Sequence, residues 1–304
     1  MEEVKMIKTF NEIFEHLKGF GRTPVVVAGG EDVDALEAVY EGYKMGIAEG
    51  VLIGNSDKIE SALTKFEDKS FVGDIIGAST EEEKARIAVD TVRNGGVLLK
   101  GTTKTSTLMK AVLNKEWGLR GSGIISSVAA FESDYEDKKR IVLISDGGIV
   151  MYPDVPTLIS LIENAVLISR KLGVEIPKVA LLCAVETVNP DMPETLNASV
   201  IAKMNSRGQI KGCVVDGPLA LDNALSTYAA EKKGIKSEVA GNADILILPN
   251  IVAGNVLGKA VEYIAHKPLA VTVVGAKAPV MISSRADRSE SKLMSIALTI
   301  LASK

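Results

Sequence analysis

PVMISSRADRSESKLMSIALT, residues 279–299, reads as a short apolar strand (Val280 to Ser283), a polar turn carrying Ser284, Arg285, Asp287 and Arg288, and a helix. Leu293, Met294, Ile296, Ala297 and Ile300 recur at the spacing that puts one apolar face on that helix. A strand that turns directly into a helix is the unit from which α/β sheets are built. The same turn suits an anion, because a helix N-terminus offers unpaired N–H groups and partial positive charge, and Arg285 adds a forked cation. A plainer reading fits as well: Asp287 with Glu290 three residues later is a capping box that only starts the helix, and Ser284 and Arg285 then belong to a surface turn.

Outward from this stretch, β-branched runs alternate with helical patterns along most of the chain, as α/β architecture requires. After a helix from Ile7 to Leu17, strands are expected at Pro24 to Ala28, Val51 to Ile53, Phe71 to Ile76 and Gly96 to Lys100. Helices are expected at Val33 to Glu49, Lys58 to Phe66, from a Thr80/Glu83 cap to Asn94, and at Ser106 to Asn114. Gly123 to Phe131 and Arg140 to Ser145, joined by the charged loop Glu132 to Lys139, read as a hairpin. A second series follows, with helices Thr157 to Leu172, Glu194 to Arg207, Leu219 to Glu231 and Asn255 to His266, and strands Val179 to Val185, Cys213 to Asp216, Ile245 to Leu248 and Ala270 to Val274. At 304 residues, two domains are the default. The hairpin marks the boundary, giving residues 1–131 with 273–304 as one α/β domain and 132–272 as the other.

Composition agrees with parallel sheets buried on both faces, since 46% of residues are hydrophobic and only 4% aromatic. The net charge of −4, from 35 basic and 39 acidic residues mixed along the chain, offers no basic stripe for nucleic acid or anionic lipid. No apolar h-region follows Met1 to Lys8, and no run of about 18 apolar residues could span a membrane, so a cytoplasmic protein without a signal peptide is expected. Cys183 and Cys213 sit in apolar runs without a CxxC pair and read as buried free thiols. His16 and His266 are the only histidines, which argues against a histidine metal cluster or a Ser-His-Asp triad.

Ligands of open α/β sheets gather on the loops that follow strands. Here these read Lys100-Gly101-Thr102-Thr103, Asp146-Gly147-Gly148, Val188-Asn189-Pro190, Asp216-Gly217-Pro218, Pro249-Asn250 and Gly254-Asn255, a small, polar set suited to phosphates and an amide-bearing ligand. Each glycine also fits an ordinary tight turn. Gly96 and Gly101 have the spacing of a P-loop, but Thr102 stands where its lysine is needed. Gly121-Ser122-Gly123 is followed by Ser126 and by no helix pattern, so a dinucleotide fingerprint is not supported.

Several segments together resemble one family, the phosphate acetyl- and butyryltransferases, and most closely its butyryl branch. They are RGQIKG (207–212) running into VDGPLALDNA (215–224), VAGNADI (239–245) leading to Pro249-Asn250 and Gly254-Asn255, AVETVNP (184–190), KAVLNKE (110–116) and GAKAP (275–279). The resemblance implies a cytoplasmic acyltransferase that moves a short acyl group, butyryl foremost and acetyl or branched acyl as alternatives, between coenzyme A and phosphate. Coenzyme A would be a substrate, with no bound cofactor and no metal. It further implies two α/β domains with largely parallel sheets, related to isocitrate and isopropylmalate dehydrogenases, an active site in the interdomain cleft, and a homodimer or larger assembly.

In that resemblance Ser284 and Arg285 match an active-site pair, with Arg285 on substrate phosphate or coenzyme and Ser284 orienting the reacting group. The acetyl branch has an aspartate seven residues after that serine, where this chain has Ser291, so the thiol proton falls to Asp287 or Glu290. Lys100, Gly101, Thr102, Thr103, Asn189, Gly254, Asn255, Lys259 and Arg288 are expected to line the substrate site. Arg288, Asp146-Gly147-Gly148 and Ser127 depart from the usual family pattern. The rival readings are an NAD-dependent decarboxylating dehydrogenase, which would need an aspartate cluster, and an exported small-molecule binding protein, which would need a signal sequence.

Overall fold

The computed structural model describes residues 6–121, 123–282 and 289–304. Two compact units divide the chain: Phe10–Ile125 with Ala270–Lys304, called the first unit here, and Ser126–Leu269 with the segment up to Thr9, the second. The first opens with α1 (Phe10–Lys18), β1 (Thr23–Ala28), α2 (Val33–Lys44), β2 (Ala48–Gly54), α3 (Ser56–Leu63), β3 (Val72–Gly77), α4 (Glu81–Val92), β4 (Val97–Lys100) and α5 (Thr105–Val112). The second contains β5 (Ser126–Ser133), β6 (Arg140–Ser145), α6 (Val155–Lys171), β7 (Lys178–Leu182), α7 (Pro193–Ser206), β8 (Val214–Leu219), α8 (Leu221–Leu225), α9 (Thr227–Lys232), β9 (Ile245–Ile247) and α10 (Ile251–Tyr263). The chain then completes the first unit with β10 (Ala270–Val274), β11 (Val280–Met281) and α11 (Ser289–Ser303).

In the first unit the strand order is β3-β2-β1-β4-β11-β10, parallel except where β10 meets β11. Val25, Val26, Val27, Leu52, Ile53 and Leu98 are fully buried, which is why their strands read as unbroken aliphatic runs rather than alternating ones. The second unit has the order β5-β6-β9-β7-β8, in which β5 and β6 form the antiparallel hairpin and the other pairs are parallel. The α/β class and the hairpin expected from the sequence are both present.

Side-chain caps start most of the long helices. Asp32, Asn55, Asp154 and Asn250 each accept a hydrogen bond from the backbone N–H three residues on, a contact worth about 1 kcal/mol. Thr80 caps α4 through Glu83 N, while Glu83 reaches back to the N–H of Ser79 at 2.7 Å.

Several element boundaries differ from expectation, and three of the differences have a local reason. α2 stops at Lys44 instead of Glu49, because Gly46 turns the chain at φ +80° and Ala48 already belongs to β2. The helix expected from Leu219 to Glu231 breaks at Ser226, which is extended (φ −107°, ψ 121°) and caps α9 with its hydroxyl. α10 begins at Ile251 under the Asn250 cap, so Gly254 and Asn255 lie in its first turns rather than in a loop, and Asp216-Gly217-Pro218 falls inside β8.

The hairpin loop of the second unit is fastened from its tip. Glu136 accepts hydrogen bonds from Ser226 Oγ at 2.6 Å, Thr227 Oγ1 at 2.5 Å and Thr227 N at 3.0 Å. Lys138 Nζ donates to Gly241 O at 3.0 Å and to Asn242 Oδ1 at 3.2 Å. The hydroxyls of Ser226 and Thr227, with help from the α9 N–H groups, push the Glu136 carboxyl down from 4.5 to about 2. A depressed carboxyl contributes its stability above its ordinary value and loses it as pH falls through the folded one. Glu136→Gln should therefore melt below the parent near neutral pH, and the gap in Tm should shrink as pH falls from 4.5 to about 2. A gap that is constant over this window in a Tm-against-pH series would contradict the assignment.

Candidate functional site

β1, β4 and β11 run parallel, with Ala28 beside Lys100 and Met281 beside Leu99, so the chain leaves all three strands at one carboxyl edge of the first unit. The loop after β4 is sealed to the loop after β1 through backbone. Gly101 N donates to Ala28 O at 2.9 Å, and Thr102 N to Gly29 O at 3.1 Å. A Cβ on residue 101 would lie 2.1 Å from Gly29 O, and Gly29 itself sits at φ +87°. Glycine is needed at both positions.

Within this loop, Gly101 and Thr103 are buried, Thr102 is exposed, and Lys100 Nζ donates to Gly101 O at 2.9 Å. Lys104, which precedes α5, makes no side-chain cap; its own N–H is bound by the Glu81 carboxylate at 2.9 Å. Glu81 lies 4.0 Å from Lys84 Nζ, and Lys84 is buried against Glu31 in the loop after β1. An acidic side chain thus already occupies the first N–H at the head of α5, which limits what a further anion finds there.

Ser284, Arg285, Asp287 and Arg288 lie outside the described residues. Glu290 is exposed in the first turn of α11, one position before the buried Ser291. Lys292, in the same turn, is bound to Asp34 of α2 at 2.9 Å.

At the carboxyl edge of the second unit, β6, β9, β7 and β8 release the loops that carry Asp146, Asn250, Cys183 to Asn189 and Ala220. Asp146 is 2% exposed, and its carboxylate accepts from Ser127 N at 2.6 Å, Ser127 Oγ at 2.8 Å, Gly148 N at 2.7 Å and Ile149 N at 2.8 Å. The sequence showed Asp146 as one residue of a glycine-rich loop and, with Ser127, as a departure from the family pattern, but gave it no role. No local signal connects it to Ser127, 19 positions earlier on a neighbouring strand. α10 presses on this loop: Gly254 packs against Asp146 O, and Asn255 Nδ2 donates to Gly147 O at 3.3 Å.

The other expected residues of this unit are placed apart from that contact. Asn189 is half-buried, and its Oδ1 accepts from Asp191 N at 3.0 Å, closing a turn that Thr195 also supports. Lys259 stands eight residues after the start of α10, about 12 Å along its axis, where Nζ meets Glu262 at 3.1 Å. Cys213 is buried as expected, but Cys183, just past β7, is only partly so. Burial first, and the nearby Glu194 second, push the Cys183 thiol up to about 12. At neutral pH it is a thiol and a poor nucleophile.

Glycine to alanine inside a helix ordinarily gains about 1 kcal/mol. At residue 254 the added Cβ would lie 2.2 Å from Asp146 O, whereas at residue 258 it would meet only Leu269 Cδ2 at 3.2 Å. Gly254→Ala should lower unfolding stability in urea by about 1–3 kcal/mol, and Gly258→Ala should change it by about 0.5 kcal/mol or less. Equal stability of the two variants would refute the close approach.

Residues 65–300 match the family model described as phosphate acetyl/butaryl transferase. The chain is 44% identical over 298 residues to the phosphate butyryltransferase of Clostridium acetobutylicum, covering 97% of this chain and 98% of that one. To the phosphate acetyltransferase of Thermotoga maritima it is 42% identical over 290 residues, with 95% and 97% covered. Among solved structures, a branched-chain phosphotransacylase from Enterococcus faecalis superposes with a TM-score of 0.80 at 32% identity, covering 92% of this chain and 98% of that one. A 4-hydroxythreonine-4-phosphate dehydrogenase from Burkholderia phymatum, at TM-score 0.55 and 11% identity over 91% of this chain and 98% of its own, shares the fold alone.

Proposed function

We propose, for a chain that belongs to the phosphate acetyl/butyryl transferase family, that it exchanges a short acyl group, butyryl foremost, between coenzyme A and inorganic phosphate. The observation that carries this is the likeness to a phosphate butyryltransferase over 97% of the chain. In the exchange a phosphate oxygen attacks the thioester carbonyl carbon, a C–O bond forms, the C–S bond breaks, and coenzyme A leaves and takes up a proton. Run in reverse, a thiol with pKa about 8.5 must lose that proton before it attacks the acyl phosphate. Cys183, whose thiol burial pushes up to about 12, is unsuited to carry the acyl group.

Roles follow from the chemistry of each group. Arg285 binds phosphate, because its guanidinium offers a fork that a lysine lacks. Ser284 orients the reacting group, and Asp287 or the exposed Glu290 takes the thiol proton. The Lys100 to Thr103 loop, Gly254, Asn255, Asn189, Lys259 and Arg288 serve substrate binding. Of these, Asn255 and Thr102 are exposed at their carboxyl edges, while Lys259 and Asn189 are engaged elsewhere and contribute less. We place the enzyme in the cytoplasm; among the described residues no helix is long and apolar enough to cross a membrane. A homodimer or larger assembly would cover Val252, Val256 and Tyr263, which form an exposed apolar stripe along α10.

Purified protein given butyryl-CoA and phosphate should release free thiol without added metal, and should sediment as a dimer or larger. Folded protein that releases no thiol from any short acyl-CoA would overturn the assignment. Arg285→Lys should lose about 10²-fold in kcat/KM, the scale of one removed electrostatic contact, while stability stays within about 0.5 kcal/mol. A variant that loses stability but keeps parental kinetics would make Arg285 structural and remove it from the phosphate site.

A further inference from the structure

We infer that Asp146 is a positioning residue for the acyl transfer. It fixes the loop from Gly147 to Ile149, and through the Gly147 carbonyl it fixes the carboxamide of Asn255. The inference rests on the reading that Asn255 faces the substrate. Asp146 is 2% exposed, so its carboxylate cannot itself meet a ligand.

What the carboxylate can do is gather donors. Its Oδ1 takes the N–H groups of Gly148 and Ile149 at 2.7 and 2.8 Å, which curls the loop around it. Both N–H and Oγ of Ser127 bind it from β5, and the same Oγ accepts from Gly147 N at 3.3 Å. The Gly148 N–H and the Gly147 carbonyl belong to one trans peptide and point in opposite directions, so aiming the N–H at the carboxylate turns the Gly147 carbonyl away from it, and Asn255 Nδ2 donates to that carbonyl at 3.3 Å.

α10 is held at this point by a second contact, Gly254 against the carbonyl of Asp146, which leaves no slack for the helix to shift along the loop. Asn255 is exposed, so its carboxamide has one N–H on Gly147 and keeps Oδ1 and its other N–H for a ligand. The ligand group that suits the remaining N–H is an oxygen of the acyl or phosphoryl moiety. Loss of the Asp146 carboxylate would release the Gly147 carbonyl and let the Asn255 carboxamide rotate without removing it.

The test is a double-mutant cycle in kcat/KM for butyryl-CoA and phosphate, with urea unfolding measured on the same proteins. Asp146→Asn keeps shape but sets an amide against the converging N–H groups, and Asn255→Ala removes the positioned group. Each should lower kcat/KM by about 10²-fold, the loss expected when a reacting geometry is misplaced by about 1 Å. In the double variant the activity losses should not multiply, because the two residues act through one network. Should Asp146→Asn fail to fold, Ser127→Ala removes one side-chain donor and leaves the backbone ones. It should cost about tenfold in the parent and nothing further in the Asn255→Ala background. An impaired Asn255→Ala combined with multiplying losses, or with silent Asp146→Asn and Ser127→Ala, would overturn the inference alone. An Asn255→Ala enzyme with parental kcat/KM would overturn the placement of Asn255 at the substrate and the inference with it.

Discussion

At the carboxyl edge of each unit a carbonyl oxygen stands with no room beside it for a side chain. A Cβ on residue 101 would come within 2.1 Å of Gly29 O, and one on residue 254 within 2.2 Å of Asp146 O. Both contacts are backbone against backbone, so neither can be relieved by rotating a side chain. They fix the loop after β4 to the loop after β1 in the first unit, and the head of α10 to the loop after β6 in the second. Loops held by backbone packing can carry functional groups with the precision otherwise found on helices and strands. That is the condition under which short polar side chains such as Thr102 and Asn255 hold a useful geometry.

A carboxylate stands next to each of these contacts, and the two are met differently: that of Asp146 is buried among four donors, whereas that of Glu31 is half-buried and its Oε2 has no hydrogen-bond partner among the described residues. Glu31 meets the ammonium of Lys84, itself buried, and Lys84 lies 4.0 Å from Glu81, which binds the N–H of Lys104. An ion pair out of water must recover the cost of desolvating both partners, and losing one partner leaves the other stranded. Asp146 instead meets neutral donors, three of them backbone N–H groups and one the hydroxyl of Ser127. Only the Ser127 hydroxyl is a side-chain donor. The conformation of the 146–149 loop and the burial of its carboxylate therefore stand or fall together, and α10 inherits its position from both.

The α/β class was legible because aliphatic runs and amphipathic helices have different periods, and because caps such as Thr80 with Glu83 are spelled out within four residues. Boundaries failed where a cap or a glycine overrode the period, as at Gly46, Ser226 and Asn250. The candidate site was legible only in part. Gly101 through Thr103 and Gly254-Asn255 could be singled out as small polar residues following strands, although Asn250 moves the latter pair into a helix. Asp146 to Ser127 and Glu136 to Ser226 join residues 19 and 90 positions apart. Such contacts depend on which strands and helices become neighbours, and a single sequence carries no local trace of them.

The relatives of this chain differ in the acyl group their names record while standing at nearly equal distance from it, 44% identical for a butyryl enzyme and 42% for an acetyl enzyme. That closeness has a physical basis. One methylene in an apolar pocket is worth only about 1–3 kcal/mol of discrimination, an effect that one or two side chains can supply by changing volume. The thioester carbonyl and the phosphate are common to every such substrate, so the groups that bind them face the same demand in each enzyme. The loops proposed to hold those groups have no comparable latitude, because a single methyl at residue 101 or 254 would already collide with a carbonyl oxygen. Acyl choice can therefore drift through individual side chains while the backbone contacts at the two carboxyl edges stay as they are.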